Sequence, residues 1–188
     1  MDCDFYTFSG HKLFAPTGIG ALYGKSELLE SMIPYQSGGN MIADVTFDRS
    51  LYQEPPHRFE AGTGNIAGAV GLGAAIDYLT EVGMDQIYQY EHELLEYATQ
   101  KLQEIPGLKL IGTAKEKSSI LSFILEGFKT VAVGQALNEE GIAVRAGHHC
   151  AQPILRRFGL ESTVRPSLAF YNTKEDIDAL IRVLWDLV

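Results

Sequence analysis

The sequence predicts a mixed α/β chain in two parts: the end of an α/β domain over residues 1–83, then a compact α+β domain over 84–188. Three observations predict this. Short apolar segments of strand type, Phe5-Tyr-Thr-Phe8 and Gly18-Ile-Gly-Ala-Leu-Tyr23, open the chain. A run of small and apolar residues from Ile66 to Leu79 reads as a closely packed, largely buried helix ending near Gly83. Beyond it, short strand-like and helical segments alternate up to a final amphipathic helix.

The elements follow in order. Phe5–Phe8 reads as a buried strand, broken by Ser9-Gly10-His11-Lys12, and its position so near the first residue marks the chain as the back part of a larger protein. The second strand ends at Gly24. Residues 34–58 are rich in Gly, Asn, Pro and Asp and read as one long connection, a kind that is usually functional. Asp85 is placed to cap the next helix. Its residues Ile87, Glu91, Leu94, Leu95, Ala98, Leu102 and Ile105 step by three and four, until Pro106-Gly107 stops it. Leu108–Ile111, Ile120–Leu125, Ile142–Arg145 and Val164–Phe170 are strand-like; Val131–Leu137 and Ala151–Phe158 are helical. Thr173-Lys-Glu-Asp176 is a capping-box variant opening a last helix with Ile177, Leu180, Ile181, Leu184 and Leu187 on one face.

Composition narrows the function classes. The 188 residues carry 15 Lys+Arg against 24 Asp+Glu, a formal net charge of −9, and 46% are hydrophobic. That hydrophobic fraction excludes a disordered acidic tail. The acidic balance argues against nucleic acid or an anionic membrane as main partner. Two cysteines, Cys3 and Cys150, make neither a disulfide framework nor C-x-x-C zinc spacing. No basic segment followed by an apolar one opens the chain, so the expected location is the cytoplasm, or an organelle stroma after processing.

Four segments could carry chemistry. Lys12 follows a glycine at the carboxyl end of an apolar strand, where α/β sheets bind ligands; it is either a solvated turn lysine or a desolvated amine able to act as Schiff-base nucleophile or general base. Cys150, in Arg145-Ala-Gly-His-His-Cys-Ala-Gln-Pro153, is either a small buried hydrophobe or a reactive thiol favoured as thiolate by a helix N-terminus, imidazoles and Arg145. Metal ligation by His148, His149 and Cys150 is the weaker third reading, since no fourth ligand is evident. Arg165 lies in an apolar strand and needs a carboxylate, from the protein or from a substrate. In Arg58-Phe-Glu-Ala-Gly-Thr-Gly-Asn65, Thr63 or Asn65 either caps the following helix or, with the glycine amides, receives a phosphate.

Together these segments resemble one family. Phe5-Tyr-Thr-Phe-Ser-Gly-His-Lys12, Pro16-Thr-Gly-Ile-Gly20, Arg58-Phe-Glu-Ala-Gly-Thr63, the Arg145–Pro153 block and Arg165-Pro-Ser-Leu-Ala-Phe-Tyr-Asn172 occur in the order of the pyridoxal-phosphate (PLP) cysteine desulfurases of the class V aminotransferase group, in its SufS-like branch. The Arg-x-Gly-His-His-Cys block is the most specific; the IscS-like branch carries its cysteine in a longer loop.

The resemblance implies the C-terminal part of a fold-type I PLP-dependent transferase: the end of the large PLP domain over 1–83 and the small α+β domain with the persulfide cysteine over 84–188. It implies that PLP is bound covalently at Lys12, that Ser9 and His11 hold its phosphate, and that Thr63 reaches the phosphate of the partner subunit in a homodimer. Cys150 would attack the substrate sulfur, Arg165 would bind the substrate carboxylate, and Arg145 would line the pocket near the thiol. L-cysteine is the implied substrate, alanine and a persulfide the products, and iron-sulfur cluster assembly the use, through a SufE-like or SufU-like acceptor. L-selenocysteine is the alternative substrate in the same branch, and a non-enzymatic fragment that binds a desulfurase subunit or acceptor is the alternative role. The front half of the family chain, with the residue stacked on the PLP ring and the acid paired with the pyridine nitrogen, has no counterpart here.

Overall fold

The computed structural model describes residues 2–188, and its contacts divide the chain into two compact units, Met1–Val82 and Gly83–Val188.

The first unit opens with an antiparallel hairpin, β1 (Phe5–Ser9) and β2 (Gly20–Gly24), in which Phe5 faces Gly24 and Ser9 faces Gly20. A 3-10 turn (Gly10–Leu13) joins them. A short helix α1 (Ser26–Ser31) follows. The expected single connection over 34–58 instead folds a second hairpin, β3 (Ile42–Val45) with β4 (Ser50–Tyr52), and a 3-10 turn at His57–Phe59. Arg58 ties this region down: its Nε donates to the Gln53 carbonyl at 3.0 Å and its Nη1 to the Glu30 carbonyl at 2.7 Å, so the polar composition reflects backbone satisfaction rather than an open loop.

Helix α2 (Ile66–Val82) closes the unit. Asn65 caps it, its Oδ1 accepting the Gly68 N–H at 2.9 Å.

Two expectations fail in this unit. Strand β1 is exposed rather than buried, with Phe5 44% and Tyr6 47% accessible. Helix α2 buries only Gly68 and Leu79, leaving Ile66 and Val70 exposed. The reason is common to both. A two-stranded ribbon and a single helix offer more apolar faces than they can cover for each other, and Met41 and Leu79 are the buried hydrophobic residues of this unit among the described residues.

The second unit has a conventional core. A four-stranded antiparallel sheet runs in the order β5 (Leu108–Leu110), β6 (Phe123–Leu125), β8 (Thr163–Arg165), β7 (Arg145–Gly147). Helices α3 (Met84–Gln103), α4 (Thr130–Glu139) and α6 (Lys174–Leu187) pack against it and each other. The stepping of α3 is realised: Leu94, Leu95, Ala98, Leu102 and Ile105 join Phe123, Val164, Ile177 and Leu184 in one cluster. Asp85 does not cap α3; Gly83 stands at that position and Asp85 lies in the first turn, where its charge suits the helix dipole.

Three strands are shorter than, or shifted from, the expected segments. Val164–Phe170 yields a regular strand only over Thr163–Arg165, and past Pro166 the pairing continues as single contacts with the 119–121 segment. Ile142–Arg145 shifts to Arg145–Gly147, and Ile120 makes only an isolated bridge to Ser167. The final capping box forms, with the Thr173 N–H donating to Asp176 Oδ2 at 3.0 Å.

Candidate functional site

The predicted residues fall into two groups, one on each unit. In the first, Lys12 rides on the 3-10 turn that follows β1. The turn is fixed by the Gly10 N–H to the Ile19 carbonyl at 2.8 Å and the Ala15 N–H to the Gly10 carbonyl at 3.1 Å. Glycine is required at position 10: a Cβ there would stand 2.8 Å from Ile19 Cγ2 and 3.1 Å from the Ile19 oxygen. Of the two readings open for Lys12, the chain shows the exposed turn lysine, an amine on a rigid turn.

Ser9 and His11 line an open cavity of about 550 Å³ with Thr7, Phe8, Gly18 and Ile19. Their side chains make no hydrogen bond within the described chain, so an anionic group in that cavity would find a hydroxyl and an imidazole free to donate. These residues fit a phosphate-bearing carbonyl cofactor: free donors for the phosphate and an accessible amine for the carbonyl. Thr63 lies apart from them in sequence, exposed between Gly62 and Gly64, and helix capping falls to Asn65. Beside Gly62 and Gly64 opens a second cavity of about 720 Å³ that also touches Asn40, Gln53 and His57.

In the second unit the sheet brings Arg145 and Arg165 into register as direct partners across β7 and β8. Arg145 Nη2 donates to Cys150 Sγ at 3.8 Å, and the thiol is exposed. No carboxylate of the described residues lies in ion-pair distance of Arg165, and its Nε is buried without a hydrogen-bond partner. Of the two sources open for its carboxylate, the described residues therefore supply none. The peptide after Arg165 is held firmly: the Leu121 N–H donates to the Pro166 carbonyl at 3.1 Å and the Leu168 N–H to the Ser119 carbonyl at 2.8 Å.

Helix α5 (Gln152–Arg157) begins two residues past the thiol and has only six residues. The cation at Cys150 is consequently the Arg145 guanidinium rather than a helix dipole. The loop is built tightly: the Cys150 N–H donates to His148 Nδ1 at 3.1 Å and the Ala151 N–H to the His148 carbonyl at 2.8 Å. His149 and Cys150 both take φ of 56°.

His149 Nε2 lies 3.0 Å from the Thr163 carbonyl and 2.9 Å from Thr163 Oγ1, which in turn bonds Ser122 Oγ at 2.6 Å. Burial lowers the His149 pKa from the ordinary imidazole value, reinforced by the charges of Arg165, Arg145 and His148 and opposed by the Thr163 carbonyl. His149 Nε2 faces Thr163, and His148 Nδ1 accepts the Cys150 N–H. No group of three metal-binding side chains converges among the described residues.

Sequence reasoning missed Thr163 and Ser122. A threonine opening an apolar strand gives no local signal; only the register, which sets Gly147 against Thr163, brings it under the loop.

Comparison with known proteins agrees with the motif order. The aminotransferase class-V family matches residues 1–180. A cysteine desulfurase of Synechococcus elongatus is 68% identical over 180 residues, covering 96% of this chain and 29% of that protein. A probable cysteine desulfurase of Mycobacterium leprae is 62% identical over 184 residues, 98% of this chain and 30% of that protein. The crystal structure of the cysteine desulfurase CsdA (S-sulfonic acid) from Escherichia coli superposes with a TM-score of 0.93 at 44% identity, over 100% of this chain and 47% of that one. The chain spans less than half the length of each of these relatives.

Proposed function

The chain belongs to the aminotransferase class-V family, and from that premise we propose that it carries the cofactor lysine and the sulfur-accepting thiol of a PLP-dependent cysteine desulfurase. The observation that supports this most is the exposed Cys150 thiol at the guanidinium of Arg145, whose direct cross-strand partner, Arg165, meets no carboxylate among the described residues.

Lys12 is the attachment point of PLP, Ser9 and His11 hold its phosphate, and Thr63 serves the phosphate site of a partner subunit in a homodimer. When bound, PLP supplies an electron sink that weakens the substrate's Cα–H and Cβ–S bonds.

The chain's own residues do the rest. Arg165 takes the carboxylate of L-cysteine by a charge-assisted, two-pronged contact and fixes the substrate's orientation. The Lys12 amine takes and returns the substrate Cα proton. Cys150 Sγ bonds the substrate sulfur as that sulfur leaves Cβ, which gives a persulfide on Cys150 and alanine as the carbon product. Arg145, donating to sulfur, faces the charge on the attacking and persulfide forms. A SufE-like or SufU-like protein is the acceptor that empties Cys150.

The test uses this chain joined to the preceding half of a class-V relative, supplied with PLP and L-cysteine. The expected result is alanine release and a persulfide on Cys150. Full sulfur transfer by a Cys150→Ala variant, or an unchanged visible cofactor band in a Lys12→Ala variant, would discard the assignment.

A further inference from the structure

Two consecutive residues other than glycine, His149 and Cys150, sit in the left-handed region at φ 56°. Side chains with a Cβ resist that conformation, so the turn persists only if other contacts hold it. Two of its hydrogen bonds are local, the Cys150 and Ala151 N–H groups both returning to His148. The contact that leaves the loop is the His149 ring on Thr163. Thr163 is fully buried in β8, and it is the cross-strand partner of Gly147, where β7 ends. The chain thus leaves Thr163 at Gly147 and two residues later comes back to it through an imidazole. Ser122 fixes the Thr163 hydroxyl from the other side, at 2.6 Å.

We propose that His149 is the positioning residue of this loop: its ring, hydrogen-bonded to Thr163, clamps the left-handed pair and so holds the Cys150 thiol at the Arg145 guanidinium. In the clamp Nε2 carries the proton and donates to the Thr163 carbonyl 3.0 Å away, and Nδ1 is then a bare acceptor, buried and without a partner. The ring works in its neutral form. A proton on Nδ1 would add a donor with nothing to receive it, beside Arg165, Arg145 and His148. The sulfur-carrying role of Cys150 rests on the function proposed above; the clamp does not, and its test reads the thiol with no cofactor present.

The experiment compares alkylation of Cys150 by anionic iodoacetate and by neutral iodoacetamide, in the 188-residue chain carrying Cys3→Ser. The ratio of the two rates cancels the reactivity of the sulfur itself and reports the positive charge beside it. His149→Ala should lower the ratio by about fivefold, the influence of one unit charge a few ångströms away in water, as Arg145→Gln does. His149→Gln, whose side-chain amide can still donate to the Thr163 carbonyl, should stay within about twofold of the parent.

A parental ratio in folded His149→Ala overturns the clamp, and so does a His149→Gln ratio as low as that of alanine. Should the alanine variant not fold, nitrogen NMR of the parent ring decides: a proton on Nε2 and none on Nδ1 supports the clamp, and the reverse tautomer refutes it. A low ratio in His149→Ala together with no persulfide in the joined enzyme would keep the clamp and discard the desulfurase reading.

Discussion

Arg145 and Arg165 stand directly opposite each other across β7 and β8, one guanidinium on the Cys150 sulfur and the other with a buried Nε that no group of the described residues satisfies. Two like charges facing across strands work against the fold, and an unpartnered buried donor adds to that cost. A negatively charged ligand between them would relieve both.

Replacing Arg165 should separate binding from stability. Arg165→Lys keeps the charge but loses the two-pronged geometry. In the joined enzyme KM for L-cysteine should rise by about 10- to 100-fold, the loss of roughly 1.5–3 kcal/mol expected for hydrogen bonds to a charged group. Arg165→Met should leave the thermal midpoint of the chain unchanged or raised, because it removes an unsatisfied group. A strongly lowered midpoint would show that Arg165 has a structural partner after all.

The left-handed backbone at Cys150 predicts an order among substitutions. Cys150→Gly should be more stable than Cys150→Ala by about 1 kcal/mol, since only glycine adopts φ of 56° freely. Elsewhere in folded proteins glycine is ordinarily the less stable of the two. Denaturant unfolding of both variants measures the difference, and equal stabilities would mean that the loop relaxes out of this conformation.

The lowered pKa of His149 fixes the sign of a pH dependence. The folded ring binds its proton less readily than the unfolded one, so the unfolded state holds more protons in this range. The contribution of His149 is complete above about 6.5, the ordinary imidazole value, and declines as pH falls below it. Burial of the ring sets this first, then the charges of Arg165 on β8, Arg145 on β7 and His148 in the loop, with the Thr163 carbonyl acting against them. Urea midpoints between about pH 7.5 and 5 should fall less steeply for His149→Gln than for the parent. Parallel slopes would remove His149 from the titration.

The two units should respond differently to truncation of a leucine. Leu184→Ala or Leu102→Ala, both fully buried, should cost about 2–5 kcal/mol in the second unit. Leu22→Ala on the open hairpin should stay within about 0.5 kcal/mol, as exposed substitutions do. Thr173→Ala should cost about 1 kcal/mol by removing the capping box of α6. Circular dichroism melts of the four variants supply the comparison.

Much of the second unit was legible before folding. The stepping of α3, the apolar face of α6 and the Thr173–Asp176 box are periodic or short-range patterns, and each appears where the pattern lies. The errors cluster where a decision depends on distant partners. The apolar run Phe5–Phe8 reads as buried, yet a strand is buried only if something covers its faces, and β1 has β2 alone beside it. Val164–Phe170 reads as one strand, yet the regular part is Thr163–Arg165 and only isolated pairing follows Pro166. The segment at 34–58 reads as loop, yet Arg58 and the β3–β4 pairing organise it.

By itself the sequence determined the order of the motifs, the buried faces of α3 and α6, and the residue types able to do the chemistry: an amine at Lys12, a thiol at Cys150 and a guanidinium at Arg165. Tertiary structure alone decided that Arg145 faces Arg165, that no carboxylate of the described chain neutralises the latter, and that the His149 ring returns to Thr163. The difference is physical. Helix period and capping are written within a few neighbouring residues, whereas strand register, positive φ and the partner of a buried polar atom are set by pairing across many residues of chain, which no local pattern encodes.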